Sequence, residues 1–267
     1  MISVKPKQSL GQNFLIDENI ARNIVRELNP KKDDIVLEIG AGHGALTRWL
    51  AGRVQHLIII EIDGRIVNRL RTEFSSTGTT IVHSDFLEVN IERWKKKFGK
   101  RVRFVGNIPY HLTSPILFKI FEEHASVQDL TVLTQREVGQ RIVAHPGSKE
   151  YGILSVMTQF YGRPRLLFDV SANCFFPKPK VTSTVLHITL REKLSDNIDE
   201  ELFRSVVRTA FGKRRKTLRN SLRYLPLEES IVDQVVESDV VPMEKRPEQL
   251  SVEQFVSLTE FTEKILV

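Results

Sequence analysis

The sequence predicts an α/β protein in which a mostly parallel, doubly wound sheet is followed by a small all-helical domain. Between residues 17 and 135, short apolar stretches alternate with helical patterns, as expected for strands buried on both faces of a parallel sheet. Two β-rich stretches follow, and from Glu200 onwards the periodicity is helical. We therefore expect a boundary near residue 195, with domains 1–194 and 195–267.

The first predicted domain begins with a helix and continues as alternating strands and helices. Asp17 is placed to cap a helix that reaches Leu28, since Ile20, Ile24 and Leu28 share one stripe. Buried strands are predicted at 35–40, 57–63, 79–86, 102–110 and 129–135, and helices at 44–53, 65–74 and 115–123. Right-handed crossovers between such strands produce a doubly wound sheet.

The pattern changes after Arg136. Helices are predicted within 137–148 and 155–162, and the β-rich stretches 166–171 and 181–190 could complete the sheet as an antiparallel edge hairpin. A polar linker at 191–201 leads into predicted helices at 202–211, 216–223, 230–238 and 252–266.

Composition limits the class of protein. The chain has 267 residues, of which 41% are hydrophobic, and this is enough for a substantial core. It contains no apolar run of about 20 residues and no secretory leader pattern, so we expect a cytoplasmic protein. Cys174 is the single cysteine and the histidines lack ligand spacing, so we expect neither a disulfide nor a metal. Nothing indicates a coiled coil, and a monomer is expected.

The charge is positive and unevenly distributed. The formal net charge is +6, and the segment Phe211–Arg223 holds six cations and no acidic residue: Lys213, Arg214, Arg215, Lys216, Arg219 and Arg223. Localised positive charge favours contact with a phosphate backbone. The alternative is a merely solvated helix, the usual fate of a charge run.

A glycine-rich turn follows the first strand of the sheet. It contains Gly40, Gly42 and Gly44 in the spacing G-x-G-x-G, at the sheet edge where such folds bind ligands. Glu61 ends the second strand and could accept hydrogen bonds from ribose hydroxyls. Asp85 and Phe86 end the third and could bind an adenine amine and ring. Together these groups predict a nucleoside site.

The nucleoside could belong to NAD or to S-adenosylmethionine. Glu38 lies beside the glycine turn, where a carboxylate would repel a pyrophosphate but would suit a ligand bearing an ammonium and a sulfonium. The sequence therefore favours S-adenosylmethionine.

The segment Asn107-Ile108-Pro109-Tyr110 closes the fourth strand and carries the predicted chemistry. The Asn107 side-chain oxygen and the Ile108 carbonyl could each accept one N–H of an adenine amine, and thereby aim its lone pair at a methyl group. Tyr110 would stack on the base, which must leave its helix to be reached, and Phe175 is the predicted second stacking residue. The alternatives are an Asn-Pro turn with a core tyrosine, and ordinary loop packing for Phe175.

Several further motifs resemble the ribosomal RNA adenine dimethyltransferases, and the likeness runs through nearly the whole chain. They are KQSLGQNFLID (7–17), EIGAGHGALT (38–47), IEID (60–63), NIPYHLTSPILFK (107–119), QREVGQR (135–141), SKEYGILSV (148–156), FFPKPKVTSTV (175–185) and AFGKRRKTLRNSL (210–222). Ala41 departs from the family's more usual proline after the first glycine.

The resemblance implies a Rossmann-like methyltransferase domain, a helical C-terminal domain and S-adenosylmethionine as cofactor. It implies that an N-terminal segment containing Asn13 and Leu15 covers the cofactor. Positions matching the family's cofactor site, with their neighbours, are Gly40, Gly42, Glu61, Ile62, Asp85, Phe86 and Asn107. The implied reaction is dimethylation of two adjacent adenosines in the terminal hairpin of small-subunit (16S) ribosomal RNA, a step linked to small-subunit biogenesis.

Three hypotheses for function follow. The first is this small-subunit enzyme, which the resemblance of 148–156 and 211–222 favours, with Arg136 and Arg141 added to the basic RNA-binding surface. The second is a methyltransferase acting on large-subunit RNA or on DNA. The third is a non-catalytic RNA-binding factor that keeps a cofactor pocket.

Overall fold

The structure is a computed structural model and describes residues 4–74, 78–192, 194, 198–213 and 215–266. The chain divides into two compact units. The first extends as far as Gly139 and resumes over Gly162–Glu192, and the second combines Gln140–Tyr161 with the chain after Glu192. The single boundary predicted near residue 195 therefore does not describe the whole division, because an internal segment groups with the C-terminal helices.

The first unit contains a twisted sheet with helices along its connections. Its strands are β1 (Phe14–Leu15), β2 (Ile35–Ile39), β3 (His56–Glu61), β4 (Thr79–His83), β5 (Val102–Asn107), β6 (Val127–Gln135), β7 (Gly162–Val170), β8 (Phe175–Phe176) and β9 (Ser183–Leu190). Its helices are α1 (Glu18–Leu28), α2 (Thr47–Leu50), α3 (Gly64–Glu73), α4 (Glu92–Phe98) and α5 (Thr113–Glu122), and α6 (Arg136–Val143) begins in it.

Within the described residues, seven strands form the large sheet in the order β4-β3-β2-β5-β6-β9-β7. Strands β4, β3, β2, β5 and β6 are parallel, and β9 runs antiparallel to both β6 and β7. This confirms the predicted mostly parallel sheet and its antiparallel edge hairpin. Separately, β1 pairs antiparallel with β8, with Phe14 opposite Phe176 and Leu15 opposite Phe175.

The register of the central strands aligns their carboxyl ends. Ile39, the last residue of β2, lies opposite Ile60 on one neighbour and Gly106 on the other. The residues that follow these positions, Glu61 and Asn107, therefore lie on either side of the turn that leaves β2. The core beneath them includes Ile24, Val36, Ile59, Val105 and Leu133, which are buried.

Two local predictions differ from the structure. The helix predicted over 44–53 forms only at α2, because Gly44 and Gly52 adopt positive φ angles of 73° and leave the helical region. The helix α4 was not predicted, because its seven residues are too few to show a sustained apolar stripe, although Trp94 and Phe98 lie on one face of it with ring centroids 6.3 Å apart.

The second unit is helical. It consists of the end of α6 with α7 (Ile153–Tyr161), α8 (Glu200–Phe211), α9 (Leu218–Leu222), α10 (Glu229–Glu237) and α11 (Val252–Leu266). Phe160 stacks on Phe203 with ring centroids 3.9 Å apart, and the Tyr161 hydroxyl donates to Glu200 across 2.8 Å. These contacts explain why α7 groups with the later helices. None of the described helices has the length and apolar character needed to cross a membrane.

Candidate active site

A cavity lies at the carboxyl edge of the parallel strands. It encloses about 100 Å³ and opens to solvent. Its lining includes Leu10, Gly11, Gln12, Asn13, Phe14, Gly40, Gly42, Glu61, Ile62, Asp85, Phe86, Asn107, Ile108, Pro109 and Tyr110. Most residues predicted from sequence for the cofactor and the target base therefore line one cavity.

The glycine turn shapes one wall of this cavity. Gly40 and Gly42 have φ angles of 65° and 52°. These values lie in the left-handed region, which residues with a side chain rarely adopt. A Cβ added to Gly42 would lie 2.8 Å from Cδ1 of Phe14. The turn therefore needs a glycine there, because the N-terminal segment packs directly against the backbone.

Glu61 joins the turn to the end of β3. Its Oε2 accepts a hydrogen bond from the Gly42 N–H across 3.1 Å, and its Oε1 accepts from the Asp63 N–H across 3.0 Å. Burial raises the pKa of Glu61, and these two N–H groups oppose that shift. Each carboxylate oxygen has a second lone pair, so Glu61 can also accept from the hydroxyls of a ligand.

Asp85 and Phe86 provide a polar and an apolar group on the same wall. The Asp85 Oδ1 accepts from the Leu87 N–H across 2.9 Å, and its second oxygen can accept from an amine. Phe86 packs edge-on against Phe104, with ring centroids 5.8 Å apart. This packing holds the Phe86 ring in place at the cavity wall.

The segment from Asn107 to Tyr110 forms the opposite wall. The Asn107 Nδ2 donates to the carbonyl of Asn13 across 2.6 Å. The Tyr110 hydroxyl lies 2.6 Å from Oγ of Ser183 on β9, and burial raises the pKa of Tyr110. Both side chains are thus fixed by partners outside their own segment.

Residues 7–15, here called the N-terminal cover, close part of the cavity. The Gln12 Nε2 donates to Asp63 Oδ2 across 3.2 Å, and the Lys7 Nζ lies 3.8 Å from Asp63 Oδ1. Phe14 packs edge-on against His43 with ring centroids 4.2 Å apart. The sequence did not identify Gln12 or Asp63 as site residues, although both fall within motifs used for the family resemblance.

A smaller cavity of about 20 Å³ adjoins the first, and Leu15, Glu38, Gly40 and Asn107 are among its lining residues. The Glu38 carboxyl is buried, and its Oε2 accepts from the Thr47 hydroxyl across 2.7 Å. Burial raises the pKa of Glu38 to about 7, against the effect of the Thr47 hydrogen bond. The Glu38 carboxyl therefore changes its charge near neutral pH.

Phe175 is not presented to the main cavity. It is 3% exposed and belongs to the core cluster that contains Phe14 and Leu15, whereas Phe176 is 46% exposed. Neighbouring residues of a strand face opposite sides, so β8 buries one ring and exposes the other. This geometry gives no support to the stacking role predicted for Phe175.

The predicted RNA-binding residues differ in their exposure and in their contacts with other residues. Lys213, Arg215 and Lys216 are exposed, as is Arg141 on α6, and Arg214 lies outside the described residues. The Arg136 Nε lies 3.2 Å from Asp169.

Arg219 is tied into the helical unit. Its Nε lies 2.8 Å from Glu244, and it also donates to the Val236 carbonyl. The segment Phe211–Arg223 contains no acidic residue, but Glu244, which is distant in the sequence, is an acidic partner for Arg219. Arg219 therefore has a structural role that the sequence did not indicate.

Within the described ranges, no group of three or more His, Cys, Asp or Glu residues is arranged to hold a metal ion. The fold and the cavity define a class: Rossmann-like proteins in which a glycine turn and an Asn-Ile-Pro-Tyr segment line one cavity at the carboxyl edge of the sheet. The family model described as ribosomal RNA adenine dimethylase matches residues 3–264. The chain belongs to this family of methyltransferases.

Curated relatives extend over nearly the same length. The chain is 42% identical over 260 residues to a ribosomal RNA small subunit methyltransferase A of Flavobacterium johnsoniae, covering 97% of each chain. It is 40% identical over 268 residues to the protein of the same name in Bacteroides thetaiotaomicron, covering 98% of this chain and 96% of the relative.

Solved structures share the fold. A dimethyladenosine transferase from Plasmodium falciparum superposes with a TM-score of 0.81 at 23% identity, covering 95% of this chain and 98% of the other. The 23S rRNA methyltransferase ErmE superposes with a TM-score of 0.68 at 27% identity, covering 94% and 100%. The first of these shows the fold alone, because its identity is low.

Proposed function

We propose that the protein methylates the N6 amines of two adjacent adenosines in the terminal hairpin of small-subunit (16S) ribosomal RNA, using S-adenosylmethionine, and so contributes to small-subunit biogenesis. The single observation that carries this proposal is the shared cavity. This one cavity is lined both by the groups suited to a nucleoside cofactor and by Asn107 and Tyr110. An RNA substrate of this kind makes the cytoplasm the expected place of action.

The residues present fit S-adenosylmethionine. An added Cβ at Gly40 would meet no described atom within 4 Å, so the bare glycine leaves space for a ligand at the turn. Glu61 would accept from the ribose hydroxyls, and Asp85 from the adenine amine. The buried Glu38 carboxyl, in the adjoining cavity, suits the cationic end of the molecule better than it suits a phosphate.

The chain's own contribution to the reaction is positioning. When bound, S-adenosylmethionine would supply an activated methyl group, because its sulfonium sulfur departs as a neutral thioether when the C–S bond breaks and the N–C bond forms. The proton displaced from the methylated amine then passes to solvent. With its Nδ2 bound to Asn13, Asn107 presents Oδ1 as an acceptor for one N–H of the target amine. The Ile108 carbonyl would accept the other, and Tyr110 would hold the base by stacking. Such positioning lowers the barrier because it directs the lone pair without a general base.

The substrate is inferred from the relatives and from charge. The names of the relatives specify the small ribosomal subunit, and exposed cations such as Lys213, Arg215 and Lys216 suit a phosphate backbone. The likeness to ErmE favours a second candidate, methylation of 23S rRNA.

The test is methyl transfer from labelled S-adenosylmethionine to unmethylated small subunits, large subunits or duplex DNA, with nucleosides resolved by mass spectrometry. We expect dimethyladenosine from small subunits alone, abolished by Asn107→Ala. Label in large subunits would instead establish the second candidate. Cofactor binding without transfer to any substrate would contradict both and leave an RNA-binding factor.

A further inference from the structure

Tyr224 is a large aromatic side chain that the helical unit leaves in solvent. It follows α9 and is 56% exposed, whereas its neighbours Leu222 and Leu225 are buried. Those leucines already supply the apolar contacts of this turn. The exposed ring can therefore contact a binding partner of the protein.

Two lysines are held beside this ring. The Lys213 Nζ lies 4.6 Å from the centroid of the Tyr224 ring, and the Lys216 Nζ lies 5.3 Å from it. The Lys216 Nζ is also 3.5 Å from the Tyr224 hydroxyl. Cations at these distances are attracted to the ring, so both ammonium groups gather around one exposed aromatic.

The backbone brings the two lysines together. The Lys216 N–H donates to the Lys213 carbonyl across 3.2 Å, and Arg215 has a φ of +74°. An arginine in the left-handed region is uncommon and unfavourable. At Arg215 the backbone thus adopts a strained conformation, and Lys213 and Lys216 on either side of it both lie near the Tyr224 ring.

Two of the described cations near Tyr224 are paired with acidic residues of the same unit. Arg219 lies 2.8 Å from Glu244, and Arg223 lies 3.6 Å from Asp233. Those two arginines serve contacts within the unit. Lys213, Arg215 and Lys216 are exposed, and the described contacts of the two lysines lead to the ring of Tyr224.

We propose that Tyr224, Lys213 and Lys216 form a binding site for one unpaired nucleotide of RNA. The ammonium groups that lie over the Tyr224 ring would move aside as the base stacks on it, and they would then contact its flanking phosphates. Proteins that bind single-stranded nucleic acid combine these two elements, since every base has a face that can stack and every linkage carries a charge. This inference rests on the proposed RNA substrate and adds a contact to it.

The test measures binding of the full chain to a fluorescent single-stranded RNA of about 12 nucleotides by anisotropy. Tyr224→Leu should weaken binding about tenfold, which corresponds to about 1.4 kcal/mol, and Tyr224→Phe should stay within about threefold of the wild type. The control is Val240→Ala, which removes another exposed apolar side chain of the same unit and should leave affinity unchanged.

Salt and a base-free RNA separate stacking from charge. Lys213→Gln should lower the slope of log affinity against log salt by about 0.7, whereas Tyr224→Leu should leave this slope unchanged. On an abasic RNA of the same length, wild type and Tyr224→Leu should bind equally.

The inference is overturned if Tyr224→Leu binds the base-containing RNA as the wild type does, or if it weakens binding to both RNAs equally. The proposed function fails separately, through the absence of methyl transfer to small subunits by the wild type.

Discussion

The side-chain amide of Asn107 donates to the main-chain carbonyl of Asn13 across 2.6 Å. One residue closes the central strand β5, and the other lies in the N-terminal cover. Because the amide nitrogen is held by this bond, the amide oxygen is the group left to accept from a substrate amine. Under the proposed function, the cover would therefore contribute to the alignment of the target amine as well as to enclosing the cofactor.

Asn107→Asp should test this relationship. A carboxylate cannot donate to the Asn13 carbonyl and would repel it, so the side chain should turn and the target amine should lose its alignment. We expect turnover to fall about 100-fold or more, measured as single-turnover methyl transfer at saturating cofactor. Asn173→Asp, an exposed asparagine changed in the same way, should stay within about twofold of the wild type. Equal turnover in Asn107→Asp and the wild type would contradict the role given to the amide.

Gly42→Ala should weaken cofactor binding through Phe14. The new Cβ would lie 2.8 Å from the Phe14 ring, so the cover must shift. We expect the dissociation constant for S-adenosylmethionine, measured by calorimetry, to rise at least about tenfold.

Gly52→Ala is the matched control for that change. Gly52 also has a positive φ, of 73°, but an added Cβ there would meet no described atom within 4 Å. Both variants should lose about 1–2 kcal/mol of stability from the strained backbone, and only Gly42→Ala should lose cofactor affinity. A similar loss of affinity in both would show that backbone strain, and not the contact with Phe14, is responsible.

Asp63→Asn should loosen the cover. Its buried carboxylate binds Arg65, Gln12 and Lys7, and the hydrogen bond from Arg65 is the main reason why its pKa is lowered. Without the charge, we expect tryptic cleavage after Lys7 to become about tenfold faster, because charged hydrogen bonds contribute about 1.5–3 kcal/mol.

Asp33→Asn provides the comparison for Asp63→Asn. It removes an exposed pair with Lys100 and should leave the cleavage rate unchanged, since solvent screens such surface pairs and they contribute little to stability. Unchanged cleavage in Asp63→Asn would mean that the cover is held mainly by Phe14 and the pairing of β1 with β8.

Glu38 should give the stability of the protein a dependence on pH. Its pKa is raised from 4.5 to about 7, so between these values the folded state binds more protons than the unfolded state. The contribution of Glu38 to the free energy of unfolding therefore falls as the pH rises from 4.5 to 7, by about 3 kcal/mol, and is constant above 7.

The measurement for Glu38 compares denaturation of the wild type and Glu38→Gln across this range. Glutamine can still accept from Thr47 but does not titrate. Relative to the wild type, the variant should gain stability as the pH rises towards 7. A difference that is independent of pH would show that Glu38 keeps an ordinary pKa.

Much of the fold could be predicted from sequence because the signals are local. Buried strands of a parallel sheet are continuous apolar runs, and β2 and β3 are examples in which nearly every residue is buried. The site residues at their ends could be identified for the same reason. In parallel strands, consecutive carboxyl ends meet at one edge, so Gly40, Glu61 and Asn107 could be assigned to a common site.

What could not be predicted depends on contacts between distant parts of the chain. A strand of two residues such as β1 has no periodicity, so neither its pairing with β8 nor the burial of Phe175 has a local signal. The partner of Arg219 lies 25 positions away, at Glu244. The hydrogen bond between Asn107 and Asn13 joins two segments whose spacing in the sequence carries no information about their contact.

The pairing of β1 with β8 also affects the order in which the protein can be completed during synthesis. The N-terminal cover leaves the ribosome first, but its partner strand is made only after the parallel strands β2 to β6. Contacts this remote in sequence form late, because the intervening chain must be ordered first. A nascent chain could thus assemble the parallel strands while the cavity at their carboxyl edge is still open. The N-terminal cover could close this cavity only after β8 has been made, when the first unit is nearly complete.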